Sequence, residues 1–140
     1  MPRNPWLLSH LSSPLVSLAS HQLEGRGRGA NTWLSPSGCL QFSLLLRVPF
    51  SSVPASKLVF VQYLFCLAVT EACRDDSILG KWGECVRLKW PNDLYVLVEG
   101  ENKKIGGILV NTSFSNGKAE VVIGWFILFI RFVTRIQFPV

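Results

Sequence analysis

Two short segments constrain this chain more than any other part of its sequence. One reads Lys-Trp-Pro-Asn-Asp at residues 89–93, and the other reads Lys-Ile-Gly-Gly-Ile-Leu at residues 104–109. Because proline disfavours helix in the residue before it and Asn-Asp favours turns, the first segment predicts a sharp turn at a strand end. The two glycines of the second segment allow a ligand to approach the backbone beside a lysine. One carboxylate, two lysines and this open backbone indicate a site for anionic ligands with Mg²⁺.

The overall charge fits anionic ligands without choosing among them. The chain has 140 residues and a formal charge of +5, and the excess is concentrated in residues 1–47, where arginines outnumber the one glutamate. Such a balance suits either a nucleotide or a nucleic-acid backbone. The apolar fraction of 49% and the mean hydropathy of +0.31 indicate one folded domain with a modest core rather than a disordered chain.

The cysteines and histidines argue against several classes of chemistry. The four cysteines are Cys39, Cys66, Cys73 and Cys85. No two of them have metal-ligand spacing, and most lie in apolar runs, so we expect reduced core residues and a cytoplasmic setting, with a mitochondrial one as the alternative. The only histidines, His10 and His21, lie upstream of the organised region, which disfavours histidine-based nucleophilic catalysis and a histidine-rich zinc site.

Apolar runs separated by turn residues predict a sheet in the second part of the chain. Strands are predicted at residues 40–48, 85–89, 94–98, 104–112 and 119–124. Asn116-Gly117 is the strongest hairpin signal and predicts a type I′ turn before the last strand. One strand, a helix and then four strands predict an α+β fold, in which a mixed, largely antiparallel sheet packs against helices.

One helix is predicted between the first and second of these strands, at residues 56–74, with Ser56 as its N-cap. Residues 58–69 are apolar almost all round, apart from Gln62, so we expect this helix to be buried against the sheet. That apolar run is shorter than the roughly 20 residues that cross a bilayer, so no membrane span is predicted.

The two ends of the chain differ in character from its centre. Residues 1–21 are rich in Ser, Leu and Pro and contain no acidic residue, so they are interpreted as a leader, either unrelated to the domain or a weak targeting segment. Residues 125–140 are interpreted as a divergent apolar tail, interrupted by Arg131. Its apolar run is too short for a membrane span and would favour aggregation if exposed.

An alternating Gly-Arg-Gly-Arg-Gly run at residues 25–29 predicts a flexible loop, because each glycine costs a helix or strand about 1 kcal/mol. Its successive N–H groups can form an anion-binding concavity, to which two guanidinium groups add phosphate donors. A solvated linker or an RNA-binding segment explains the loop alone equally well. Trp33, which follows, is either a stacking surface at the edge of the site or an aromatic residue of the core.

Four sequence blocks in one order resemble the catalytic domain of the biotin protein ligases, called holocarboxylase synthetases in animals. The blocks are Gln22 with residues 25–29, Trp-Leu-Ser-Pro at residues 33–36, residues 89–93 and residues 104–109. The family patterns are Gln-x-x-Gly-Arg-Gly-Arg, Trp-x-Ser-Pro, Lys-Trp-Pro-Asn-Asp and Lys-x-Gly-Gly-Ile-Leu. The resemblance covers residues 22–124, which it identifies as a partial biotin/lipoate ligase catalytic domain. It implies a fold similar to class II aminoacyl-tRNA synthetases, here incomplete.

The resemblance also implies an activity that uses ATP, Mg²⁺ and biotin. Members of the family join biotin to ATP as biotinyl-5′-adenylate, release pyrophosphate, and then transfer biotin to a lysine in the biotin-acceptor domain of a carboxylase. Attack of a carboxylate on the α-phosphate needs positioning and charge neutralisation rather than a protein nucleophile, which agrees with the scarcity of histidine.

By position, the resemblance assigns roles to individual residues. Lys104 would hold the biotin carboxylate and the acyl phosphate that it becomes, Asp93 would bind Mg²⁺, and the loop at residues 25–29 would close over the adenylate. Lys104, Arg28 and Lys89 are the predicted catalytic residues. The other predicted contacts are Gln22 with biotin, Arg26 in the closing loop, Trp33 near the adenine, Asn92 near the phosphates, and the backbone of Gly25, Gly27 and Gly107.

Two parts of the family pattern are absent from this chain. No Ser/Thr-Asn segment precedes the Gly-Arg loop, and Trp-Phe-Ile-Leu at residues 125–128 replaces the Gly-x-Asn stretch that borders the nucleotide. We therefore expect a sheet that lacks strands at both ends and exposes apolar surface. The alternatives are an inactive truncated form of the same family and a basic Gly/Arg nucleic-acid-binding module. The lipoate ligase branch has a different recognition loop, and for the ligase no nucleic-acid partner is expected.

Overall fold

The computed structural model describes residues 5–29, 31–33, 35, 37–98 and 100–128. Within these residues the helices are α1 (Pro5–His10) and α2 (Val59–Arg74). The strands are β1 (Leu15–Ala19), β2 (Gly25–Arg26), β3 (Thr32–Trp33), β4 (Leu40–Pro49), β5 (Val86–Lys89), β6 (Asp93–Val98), β7 (Glu101–Ser115) and β8 (Lys118–Ile127). Two 3₁₀ turns, Ala55–Lys57 and Gly80–Cys85, precede and follow α2.

Six of the described strands form one sheet in the order β1-β4-β8-β7-β6-β5, and β2 pairs with β3 as a short separate ladder. Every pairing between these strands is antiparallel. In β8 every second residue from 119 to 127 is buried, as expected when side chains alternate between the two faces of a strand. An antiparallel sheet with few helices confirms the α+β prediction.

The predicted strands are present, and the last two are longer than the apolar pattern indicates. β7 extends to Glu101–Ser115 instead of residues 104–112, and β8 continues to Ile127 instead of ending at residue 124. The hydrogen bonds of the ladder extend these strands, because β7 lies between β6 and β8 and pairs with both. The predicted type I′ turn is confirmed by the positive φ angles of Asn116 (50°) and Gly117 (71°).

Helix α2 buries only one of its faces. Its buried residues are Cys66, Val69, Thr70 and Cys73. Its exposed apolar residues are Val59, Phe60, Leu64 and Leu67. The helix packs against the sheet as expected, through contacts with β5 and β7, but no described element covers its other side. Ser56 does not cap the helix, since the 3₁₀ turn Ala55–Lys57 leads directly into Leu58 at the N-cap position.

The helical segment has nearly its predicted bounds of residues 56–74, since its leading 3₁₀ turn begins at Ala55 and α2 ends at Arg74. Together with its leading 3₁₀ turn, Ala55–Arg74 has 20 residues and reaches a mean hydropathy of 1.4. Among the described residues this is the one segment that is long and apolar enough to cross a membrane by length and composition. The prediction of no span counted only residues 58–69. Packing against the sheet accounts for the apolar inner face of α2 but not for its outer face.

The N-terminal region contributes to the sheet, which differs from the predicted leader at residues 1–21. β1 pairs in register with β4, from Leu15 opposite Leu45 to Ala19 opposite Gln41. The Arg47 guanidinium donates to the Leu11 carbonyl at 2.6 Å, and the Arg47 backbone N–H donates to Ser13 Oγ at 2.8 Å. These bonds hold the segment just before β1 against β4. At the other end, residues 125–127 continue β8, and residues 129–140 of the predicted tail lie outside the described residues.

The four cysteines are free thiols, as expected for reduced core residues. Cys66 is fully buried and donates from Sγ to the Pro91 carbonyl at 3.1 Å. Burial, with a smaller contribution from the charge of Asp93, raises the pKa of the Cys66 thiol to about 11. This thiol therefore connects α2 to the turn that carries the predicted site residues.

Candidate functional site

An open cleft of about 880 Å³ lies between the β2–β3 hairpin and the face of the sheet opposite α2. Two of the predicted site residues, Lys89 and Gly25, do not line the cleft, and the other nine do. These are Gln22, Arg26, Gly27, Arg28, Trp33, Asn92, Asp93, Lys104 and Gly107. The cleft thus draws together residues from the Gly-Arg loop, from the turn between β5 and β6, and from β7. Its charged lining residues are three cations, Arg26, Arg28 and Lys104, and two carboxylates, Glu24 and Asp93, a balance that favours anionic ligands.

Asn92 anchors the floor of the cleft. Its carbonyl group accepts a hydrogen bond from Ile108 N–H at 2.9 Å, and its side-chain amide donates to the Ile108 carbonyl at 3.2 Å. The remaining amide oxygen, Oδ1, accepts a bond from Arg28 Nη1 at 3.2 Å. The residue is only 7% exposed, so these bonds replace its contacts with water. Asn92 therefore fixes the turn against β7 and holds the Arg28 guanidinium in the cleft.

Lys104 and Asp93 form an ion pair across β6 and β7. Lys104 Nζ lies 2.8 Å from Asp93 Oδ1, and the two side chains are 38% and 25% exposed. Lys104 and Gly107 both line the cleft, although residues three apart in a regular strand face opposite sides. A register shift between Leu94 and Tyr95 explains this arrangement, since Leu94 pairs with Gly106 but Tyr95 pairs with Lys104. Ile105 is the extra residue and stays in the core, so Lys104 faces the same side as Gly107. The β-bulge therefore directs the lysine into the site.

The two glycines of β7 are closely packed against Phe126, and Gly106 is required because a Cβ there would meet backbone. A Cβ at Gly106 would lie 2.7 Å from the carbonyl oxygen of Phe126, and one at Gly107 would lie 3.0 Å from Phe126 Cζ. The Phe126 ring also stacks on Trp33, with centroids 3.6 Å apart and planes inclined by 30°. Trp33 Nε1 is buried without a hydrogen-bond partner. An aromatic pair thus closes one end of the cleft beside a bare stretch of backbone.

Two predicted site residues do not line the cleft. Lys89 is on the same face of the sheet as Asp93, but its ammonium group lies 5.4 Å from the centroid of the Tyr95 ring and does not line the cleft, so its place near the phosphates stays a prediction. Gly25 is buried in the β2–β3 ladder, where a Cβ would lie 2.4 Å from the Trp33 carbonyl oxygen. Its small size is needed for the packing of this ladder, and its predicted contact with a ligand stays a prediction. In the Trp-Leu-Ser-Pro block, Leu34 and Pro36 lie outside the described residues.

One buried polar residue of the cleft was missed by the sequence analysis. Gln41 is 4% exposed, donates to Ser35 Oγ, and leaves its Oε1 without a hydrogen-bond partner. Ser35 Oγ also accepts from Gln22 N–H at 3.1 Å, so Gln22 and Gln41 belong to one polar cluster. The sequence signal was a glutamine at an alternate position of an otherwise apolar strand. An unpaired buried acceptor is costly, so this oxygen is available to accept a hydrogen bond within the cleft.

Comparison with known proteins gives a consistent result. The model of the biotin/lipoate A/B protein ligase family matches residues 3–127, which include most of the predicted leader. The biotin–protein ligase of Homo sapiens is 42% identical over 110 residues, which make up 79% of this chain and 14% of that protein. The bifunctional ligase/repressor BirA of Escherichia coli is 34% identical over 119 residues, which make up 84% of this chain and 33% of that protein.

Solved structures give the same relationship at the level of the fold. The biotin protein ligase of Aquifex aeolicus in complex with biotin and ATP superposes with a TM-score of 0.60 and 30% identity, covering 86% of this chain and 45% of that one. The Leishmania major ligase in complex with biotin gives a TM-score of 0.60 with 25% identity, covering 80% and 45%.

The antiparallel sheet with few helices matches the fold of these solved biotin protein ligases. The chain belongs to the biotin/lipoate A/B protein ligase family, as the match over residues 3–127 establishes. It spans less than half the length of each of these four relatives.

Proposed function

We propose that this chain activates biotin with ATP and transfers it to a lysine in the acceptor domain of a carboxylase. The observation that carries the proposal is the convergence of Lys104, Asp93 and Arg28 on one cleft from three separate segments. Relatives of the same fold have been solved with biotin and ATP and with biotinyl-5-AMP, which supports both ligands for this cleft.

Lys104 is the proposed contact for the biotin carboxylate. Its ammonium group is paired with Asp93 and more than a third exposed, so an incoming carboxylate can share it without disrupting the core. The Gln22–Ser35–Gln41 cluster lies in the same cleft, and the unpaired Gln41 Oε1 is suited to accept a hydrogen bond from an N–H group of the ureido ring. Lys104 and Gln41 thus offer one polar group for the carboxylate of biotin and one for its ureido ring.

In the first step, a carboxylate oxygen of biotin attacks the α-phosphorus of ATP, the bond from the α-phosphorus to the bridging oxygen breaks, and pyrophosphate leaves. Two anions approach each other, so the barrier depends on neutralising their charge and aligning them. Lys104 neutralises and orients the attacking carboxylate. Arg28, which Asn92 holds in place, donates hydrogen bonds to the phosphate oxygens. In the second step, the acceptor amine attacks the acyl carbon, a proton leaves the nitrogen, and AMP departs with the electron pair of the C–O bond.

Mg²⁺ would enter with the nucleotide as part of the substrate. Among the described residues, no group of three His, Cys, Asp or Glu side chains is placed to hold a metal ion. Asp93 would supply one carboxylate ligand beside Lys104, which fits a magnesium ion whose other ligands are substrate phosphates and water. Asp93 would then exchange part of its contact with Lys104 for the ion, releasing Lys104 toward biotin.

Biotin-dependent exchange between ATP and pyrophosphate tests the first step directly. We expect Lys104→Ala to lower the exchange rate about 100-fold, the usual effect of removing one group that stabilises developing charge. Lys103→Ala is a matched control, because Lys103 is the neighbouring lysine on β7, pairs with Glu101 at 3.6 Å and does not line the cleft. Equal exchange rates for the Lys104 and Lys103 variants would contradict the assigned role, and no exchange by the wild-type chain would contradict the proposed activity.

A further inference from the structure

The cleft holds a flat slot that is filled by a side chain of the protein itself. Phe126 on β8 stands directly opposite Gly107 on β7, so its ring projects over the bare glycine on the cleft side of the sheet. The face of the ring stacks on Trp33 at 3.6 Å, and its edge reaches to 3.0 Å from where a Gly107 Cβ would be. The slot is the space that this ring occupies beside the Trp33 indole and the Gly107 backbone.

The surroundings of this slot are polar and charged, which a structural aromatic pair does not need. The Asp93 carboxylate lies 3.6 Å from the position of a Gly107 Cβ, and Lys104 pairs with that carboxylate. The indole Nε1–H of Trp33 is buried and makes no hydrogen bond. A stacking face, an unused donor and nearby charges are the features that recognise a heteroaromatic base attached to a phosphate. Phe126 satisfies only the stacking part of this arrangement.

We propose that the Phe126 ring occupies the subsite for the purine base, so that the nucleotide binds only after this ring is displaced. The inference deepens the proposed function, since it concerns the nucleotide side of the same cleft. Phe126 competes with the base for the face of Trp33, and removing its ring exposes that face. The polar cluster formed by Gln22, Ser35 and Gln41 is a separate set of contacts, so biotin affinity does not depend on Phe126.

Isothermal titration with adenosine, AMP, pyrophosphate and biotin tests this assignment. We expect Phe126→Ala and Phe126→Gly to bind adenosine and AMP about tenfold more tightly than the wild type, because stacking on an aromatic face is a large part of base affinity. Affinity for pyrophosphate and for biotin is expected to stay unchanged. Phe126→Trp, which keeps an aromatic side chain in the strand, is expected to bind adenosine no better than the wild type. Phe114→Ala is the control for loss of a ring from the same hairpin, since Phe114 is 61% exposed and does not line the cleft.

Each outcome decides the inference. Unchanged adenosine and AMP affinity in the folded alanine variant, or an equal gain in Phe114→Ala, overturns it and leaves Phe126 as a packing partner of Gly107. An equal gain for pyrophosphate also overturns it, because the ring would then block the whole cleft rather than the base subsite. If neither the wild type nor the variants bind biotin, the proposed function fails, while the adenosine result still decides the role of Phe126.

Discussion

The hydrogen bond between Arg28 and Asn92 is expected to couple the Gly-Arg loop to the floor of the cleft. Asn92→Ala removes the bond from Arg28 at 3.2 Å and the bond to the Ile108 carbonyl at 3.2 Å. Because Asn92 is only 7% exposed, we expect this change to lower the free energy of unfolding by about 1–3 kcal/mol. Arg28→Ala removes only the first bond, whose donor residue is exposed, so we expect a loss of about 0.5–1 kcal/mol.

A double-mutant cycle isolates the bond itself. Urea denaturation of the wild type, both single variants and the double variant should give a coupling energy of about 0.5–1 kcal/mol, since the bond can be lost only once. The coupling should decrease at high salt if the charge of Arg28 contributes to it. The matched cycle pairs Arg26→Ala with Asn92→Ala. Arg26 lines the same cleft and carries the same charge, and Asn92 Oδ1 bonds Arg28 rather than Arg26. Equal coupling in the two cycles, or additivity within about 0.3 kcal/mol for Arg28, would refute the reasoning.

Two further predictions concern the packing behind the site. Gly106→Ala should lower the free energy of unfolding by about 1–3 kcal/mol, because its Cβ would lie 2.7 Å from the Phe126 carbonyl oxygen. Gly124→Ala is the control and should change it far less, since the nearest contact of a Cβ there is at 3.7 Å. Equal free energies for the two variants in urea denaturation would contradict this. The free energy of unfolding should also decrease as the pH rises from about 9 to about 11, because the Cys66 thiol has its ordinary pKa of 9.0 in the unfolded chain and a pKa of about 11 when folded. Cys66→Ala should remove this part of the pH dependence, and an unaltered profile in that variant would show that Cys66 does not cause it.

The parts of the site that the sequence predicted are those set by local chemistry. The turn at residues 89–93 and the lysine and glycines at residues 104–109 lie on consecutive antiparallel strands, so a hairpin alone brings Asp93 opposite Gly107. The Asn116-Gly117 turn was equally predictable, because few residues adopt positive φ angles. These features need only the conformational preferences of a few adjacent residues.

The parts that could not be predicted depend on distant contacts. β1 belongs to the sheet because it pairs with β4, and the serines and prolines around it obscure a strand of only five residues. The β-bulge that turns Lys104 into the cleft is set by three paired strands, and the position of Lys89 over the Tyr95 ring depends on a side-chain contact rather than on a motif. The exposed outer face of α2 could not be predicted, because composition cannot tell which side of an apolar helix is covered.

The two halves of the cleft also differ in how ready they are for ligands. On the biotin side, Lys104 is partly exposed and Gln41 has an unused buried acceptor, so a ligand gains contacts there without removing any apolar packing. On the aromatic side, a ligand must first displace Phe126 from Trp33 and Gly107. Displacing such a contact reduces the apparent affinity of the ligand, which lowers nucleotide affinity but not biotin affinity. Under the proposed function, this difference in readiness would come from one side chain on β8 rather than from the motifs that define the family.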